Sequence, residues 1–223
     1  MDNEKLKELC EKYNINLEKL KKEQLELAKG LEIKDSLDFS LVERYGAIEN
    51  LIIKNKIISA MIVCDKDFEI VEEAYFLDTL RFPYIFGFKA YRELPAMSSV
   101  FNKIKEKPDV IFIKGNGIAN PRLGMASHFS LVTGIPSIGI ADDLFDGVEV
   151  KKEDIILDKN KVGKIFISRP GSKPMYVSPG NKISIDTSLK LVKDTIVLPH
   201  KMPEPLHLAR KYAKDIKKEL NLD

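Results

Sequence analysis

The sequence predicts an α/β fold on one mixed sheet, in which a three-strand antiparallel meander precedes parallel β-α-β units and helices cover both faces. Two observations carry this. Apolar runs at 45–53, 57–64 and 69–80 follow one another with only the short polar breaks 55–56 and 65–68 between them, which fits consecutive antiparallel strands. Beyond Phe82-Pro83 the pattern changes, and two short, continuous apolar runs, 109–113 (DVIFI) and 135–141, flank a helical stretch at 121–133. Such runs are expected of strands buried on both faces. Their β-α-β order implies a parallel pair joined by a right-handed crossover.

Taken in order, residues 3–29 are rich in Lys, Glu and Leu, with leucines in a broken helical pattern that predicts one or two helices split near 14–16. Residues 34–41 read as a connection, and the meander follows. Residues 89–105 predict a helix interrupted or entered at Pro95. Gly115-Asn116-Gly117 ends the strand at 109–113, and Gly134 stops the helix at 121–133. Residues 164–167 and 175–177 predict a hairpin around Pro170–Pro174. Segments 184–193 and 203–220 predict two further helices. The expected organisation is a single domain over 1–223, with a helical extension over about 1–35.

A hydrophobic fraction of 44% with 31% charged residues fits a globular core and excludes a disordered chain. The net charge of +2 neither demands nor excludes nucleic acid. Cys10 and Cys64 lie far apart and match no metal spacing. No apolar run approaches the ~20 residues that span a bilayer, and the charged N-terminus is unlike a signal peptide. The expected location is cytoplasmic, with no membrane partner.

Seven segments are recognisable together: Phe82-Pro83-Tyr84-Ile85-Phe86-Gly87; Tyr91-Arg92-Glu93-Leu94-Pro95; Pro108-Asp109 with Gly115-Asn116-Gly117-Ile118-Ala119-Asn120-Pro121-Arg122; Leu123-Gly124-Met125-Ala126-Ser127-His128; Ile135-Pro136-Ser137-Ile138-Gly139; Ser178-Pro179-Gly180; and Pro203-Glu204-Pro205. In this order and spacing they resemble the endonuclease V family over nearly all of the chain. The resemblance implies an RNase H-like fold. It also implies an ancestral activity, metal-dependent hydrolysis of a phosphodiester near a deaminated base, usually inosine, in DNA or RNA.

In that family a carboxylate cluster holds Mg²⁺ or Mn²⁺, which activates water and stabilises charge on the cleaved phosphate. Matched residue by residue, the first-strand acid is Glu49 and the second acid is kept as Glu93. The third is replaced by Lys114, and the lysine expected after the next strand is Asp142. Asn120, Asn181 and Arg210 stand where the family has histidines. An ammonium ~4 Å from a divalent ion is repelled by roughly 8 kcal/mol at an effective dielectric near 20. Two arrangements follow. In one, Lys114 neutralises Glu49 and Glu93 and the metal site is lost. In the other, the charges are swapped: Asp142 supplies the third carboxylate beside Glu49 and Glu93, Asp143 is in reserve, and Lys114 contacts phosphate. The plainer role for Asp142 and Asp143 is to cap a turn after a strand.

The resemblance also marks binding groups. Tyr84 matches the wedge residue that enters a duplex where the altered base leaves the stack, and Phe86 replaces a proline beside it. Gly87, Gly115 and Gly117 match a backbone-lined base pocket, though a tight strand-to-helix turn needs the same residues. Arg122 and Lys89 are candidate phosphate contacts. His128 reads as a hydrogen-bonded core histidine, Glu204 as a helix-entry residue, and His200 and His207 match no role. The expectation is a monomer that binds nucleic acid at deaminated bases with reduced or absent cleavage. The alternatives are an active Mg²⁺- or Mn²⁺-dependent enzyme using Glu49, Glu93 and Asp142, and a structural or regulatory protein that does not bind nucleic acid.

Overall fold

The structure is a computed structural model, and it describes residues 3–222. Two helices open the chain, α1 (Asn3–Lys12) and α2 (Leu17–Ala28). They break where Asn16 caps α2, its side chain accepting from the Lys19 N–H at 2.9 Å. The meander is β1 (Arg44–Ile53), β2 (Lys56–Asp65) and β3 (Ile70–Thr79). Helix α3 (Lys89–Lys103) leads to β4 (Val110–Lys114), and α4 (Met125–Thr133) links β4 to β5 (Ser137–Ala141). Four antiparallel strands complete the sheet: β6 (Glu149–Lys151), β7 (Asp154–Leu157), β8 (Asn160–Phe166) and β9 (Met175–Asn181). Helices α5 (Ile185–Asp194) and α6 (Glu204–Glu219) end the chain.

Among the described residues nine strands form one sheet, in the order β3-β2-β1-β4-β5-β9-β8-β7-β6. The β1–β4 and β4–β5 pairs are parallel. This is the mixed sheet the sequence predicts, meander first and parallel units after it. Helices α3 and α4 pack on one face against Ile48, Met61, Val63, Ile111 and Ile113. Helices α5 and α6 pack on the other against Ala47, Ile62, Cys64, Val110 and Phe112. Successive β1 residues serve opposite faces, as the pleat requires.

Three boundaries differ from expectation. Pro95 neither interrupts nor begins α3, which runs through it. Burial of Ala90, Leu94, Met97, Val100 and Phe101 against the sheet holds the turn whose hydrogen bond the proline lacks. Helix α4 starts at Met125 rather than 121, because residues 115–124 form the turn over the ends of the strands. The predicted hairpin at 164–167 and 175–177 is real but is one part of a four-strand wing. Strand β6 is exposed throughout and β7 is only four residues long, with Ile155 its one fully buried residue, so neither shows a repeating apolar pattern.

Candidate active-site cleft

Strands β1, β4 and β5 are parallel neighbours, so their C-terminal ends lie on one edge of the sheet. Ile48 pairs with Ile113, and Lys114 pairs with Ile140. Glu49, Lys114 and Asp142 therefore come together at that edge, where loops converge and a ligand has room. Together with Arg169, His200, Lys201, His207 and Arg210 they line a cleft of about 350 Å³.

Lys114 and Asp142 meet as an ion pair, Nζ to Oδ2 at 3.4 Å, and Lys201 reaches the other Asp142 oxygen at 3.2 Å. Burial alone would raise the Asp142 carboxyl, but the two ammonium groups outweigh it and hold the carboxyl below its ordinary value. At Glu49 burial wins. Its carboxyl lies above the usual carboxylate value, although Lys114, Arg210 and Lys89 pull the other way.

Glu93 projects from α3 and is only 3% exposed. Its Oε2 accepts from Asn50 Nδ2 at 2.8 Å, with Lys89 Nζ at 3.6 Å. Strand parity explains the pairing. Asn50 follows Ile48 on the α3 side of β1, whereas Glu49 follows Ala47 on the α6 side. Glu49 and Glu93 also share the lining of a neighbouring cleft of about 310 Å³. Even so, the oxygens of Glu49, Glu93 and Asp142 do not form a group within 4.8 Å of one another. Among the described residues the metal-capable group is a different one, His200, Glu204 and His207. As arranged, the residues do not fit a magnesium pocket: a lysine stands within the acids, both Asp142 oxygens face ammonium groups, and Glu93 Oε2 is held by Asn50.

A second cleft, of about 280 Å³, adjoins this edge and is lined by Tyr84, Phe86, Gly87, Gly115, Asn116 and Phe145 among others. Tyr84 is 60% exposed and Phe86 62%. Phe86 stacks obliquely on Phe145, ring centroids 4.8 Å apart. Phe145 had no sequence signal, because it sits in a polar loop and gains meaning only from its contact. In the sequence Asn116 reads only as part of the Gly115-Asn116-Gly117 turn. Its buried Oδ1 has no partner among the described residues.

The glycines divide. Gly87 and Gly115 have positive φ, +80° and +144°, and both line this cleft. Gly117 is packed against β9: a Cβ there would lie 2.0 Å from the Pro179 carbonyl oxygen, and its N–H donates to Ser178 Oγ at 2.8 Å. Arg122 is engaged inside the protein. Its Nε donates to Gln24 Oε1 at 2.7 Å, its Nη2 to the Gly87 carbonyl at 3.2 Å, and its guanidinium sits 4.9 Å from the Phe88 ring centroid. Burial lowers its pKa. Gln24, fully buried on α2, also donates to the Gly87 carbonyl at 3.1 Å, which ties the N-terminal helices to the cleft wall. His128 is buried edge-on against Tyr91 at 5.7 Å, and burial lowers its pKa. Asn120 Oδ1 accepts from the Arg122 N–H, and Asn181 Oδ1 from the Glu32 N–H.

The family model for Endonuclease V matches residues 25–211. Endonuclease V of Thermosipho melanesiensis is 34% identical over 218 residues, covering 93% of this chain and 91% of that protein. Endonuclease V of Archaeoglobus fulgidus is 30% identical over 213 residues, covering 92% and 96%. Among solved structures, the catalytic domain of human Endonuclease V superposes with a TM-score of 0.84 at 24% identity, covering 93% of this chain and 98% of that one. Ciona intestinalis Endonuclease V, in complex with a 24mer DNA containing an inosine followed by a ribo-adenosine, gives 0.83 at 25% identity, covering 92% and 98%.

Proposed function

The chain belongs to the endonuclease V family, and from that premise we propose that it binds DNA or RNA at deaminated bases such as inosine, with phosphodiester cleavage reduced or absent. The observation that carries the proposal is the Lys114–Asp142 ion pair, 3.4 Å, at the strand ends where the family resemblance calls for a metal-binding acid. Beside it the aromatic-rimmed cleft of Tyr84, Phe86 and Phe145 is open.

A base taken out of the stack needs a pocket and a replacement for its lost stacking. The cleft offers both: exposed Tyr84 and Phe86 at its rim, and the positive-φ glycines Gly87 and Gly115, which bring backbone close to a ligand. Lys89 lines the same cleft and is a phosphate contact in this reading. Lys114 serves the neutralisation of Asp142 and Glu49 rather than a metal. A cytoplasmic location, a monomeric state, and a single domain over 1–223 with the helical stretch about 1–35 as an extension belong to the same proposal. Among the described residues no helix is long and apolar enough to cross a membrane.

The test uses inosine-containing and matched control oligonucleotides, single-stranded and duplex, as DNA and as RNA. Fluorescence anisotropy is expected to show tighter binding to the inosine strands. Incubation with Mg²⁺ or Mn²⁺ is expected to give little or no cleavage, with Glu93→Gln as the control. Cleavage that disappears in Glu93→Gln would overturn the loss of activity. Equal affinity for inosine and control strands would overturn the base preference.

A further inference from the structure

His200 and His207 match no role in the family resemblance, and Glu204, inside the Pro203-Glu204-Pro205 segment, reads there only as a helix-entry residue, yet the fold gathers all three. One donor atom from each lies within 4.8 Å of the other two. His200 Nδ1 sits 2.6 Å from Glu204 Oε2, and the two imidazoles stack with centroids 3.5 Å apart at 14°. Glu204 begins α6 and His207 stands one turn on, an i, i+3 Glu-x-x-His spacing that puts both on one helix face. His200 comes from the preceding loop, its N–H donating to the Val197 carbonyl at 2.9 Å. The Glu204 N–H donates to the Thr195 carbonyl at 2.7 Å and the His207 N–H to the Pro203 carbonyl at 3.1 Å, so all three backbone positions are held. His200 and His207 both line the cleft that contains Glu49, Lys114 and Asp142.

We propose that His200, Glu204 and His207 form a binding site for one divalent transition-metal ion of the zinc class, at the wall of the cleft and separate from the acids of Glu49 and Glu93. Two imidazoles and one carboxylate suit zinc, cobalt or nickel. A hard, oxygen-seeking ion such as Mg²⁺ prefers carboxylates and water. Three protein donors leave a tetrahedral ion one position short, and that position takes water or an anion. The cleft wall around the site carries Lys201, Arg169 and Arg210, so the favoured anion is a phosphate oxygen. The competing arrangement is a His200–Glu204 hydrogen bond that holds the loop to the first turn of α6 with no ion between them.

The test is metal binding by the full chain, tag-free and stripped with chelator, in the absence of nucleic acid, so it stands or falls separately from the binding proposal. Zn²⁺ titration by calorimetry is expected to give one equivalent, and Co²⁺ to give the visible d–d bands of a bound ion of low coordination number. His200→Gln and His207→Gln are each expected to weaken binding by about tenfold or more, with circular dichroism and the melting temperature reporting that the variants fold. Glu49→Gln and excess Mg²⁺ are expected to leave it unchanged. Absence of binding, or binding that survives the double variant His200→Gln/His207→Gln, would overturn the site. So would loss of binding in Glu49→Gln alone, which would place the ion among the strand-end acids.

Discussion

Arg122→Ala separates a structural arginine from a phosphate-binding one. Truncation removes the guanidinium from the Phe88 face, 4.9 Å away, an interaction of about 0.5–2 kcal/mol depending on desolvation. It also leaves Gln24 Oε1 without its donor at 2.7 Å, on a side chain with no exposure, which costs about 1–3 kcal/mol. Together these predict a loss of about 1.5–5 kcal/mol in unfolding free energy, or roughly 3–20 °C in melting temperature for a chain of this size. Urea denaturation of wild type and variant measures the first quantity. The second measurement is the salt dependence of oligonucleotide binding, because removing one phosphate contact lowers the slope of log K against log salt by about one. The structure predicts a large stability loss with an unchanged slope. A variant within about 0.5 kcal/mol of wild type whose slope falls by about one would refute the reasoning.

Four further outcomes follow from particular residues. Gly117→Ala forces a Cβ to 2.0 Å from a backbone oxygen and strains the hydrogen bonds to Ser178 and Pro179; a destabilisation of about 3 kcal/mol or more is expected in denaturant titration. In Gly147→Ala, with positive φ but open space, only about 1–2 kcal/mol of backbone strain is expected. Tyr84→Ala leaves stability unchanged, because the ring is exposed, but weakens binding by the stacking of one base, about 1–3 kcal/mol, read as an affinity loss by anisotropy. Unchanged affinity would remove Tyr84 from the binding face. Burial pushes the Cys64 thiol from 9.0 up to about 12. An unfolded thiol ionises from pH 9 upward while the folded one stays neutral, so stability is intact below pH 9. Between pH 9 and about 12 it falls by about 1.4 kcal/mol per pH unit. Comparing the alkaline stability of wild type and Cys64→Ala isolates this slope.

The sequence alone determined the order of the core strands and helices, and the physical reason is local. Hydrophobic periodicity, short polar breaks and glycine stops act over neighbouring residues, so the meander and the β4-α4-β5 unit were legible. The weakly patterned β6 and β7 were not. It also marked the charge reversals at Lys114 and Asp142, and the adjacency of their strands predicted that the two would be near one another. Their use was decided only in three dimensions. Strand parity set Asn50, rather than Glu49, against Glu93; loop closure brought Lys201 onto Asp142; and Gln24, nearly a hundred residues away, engaged Arg122. The same holds for Phe145 on Phe86, and for His200 brought against Glu204 and His207. Side-chain partners across long sequence separations are chosen by packing and electrostatics of the closed fold, and neither term is written in the spacing of residues along the chain.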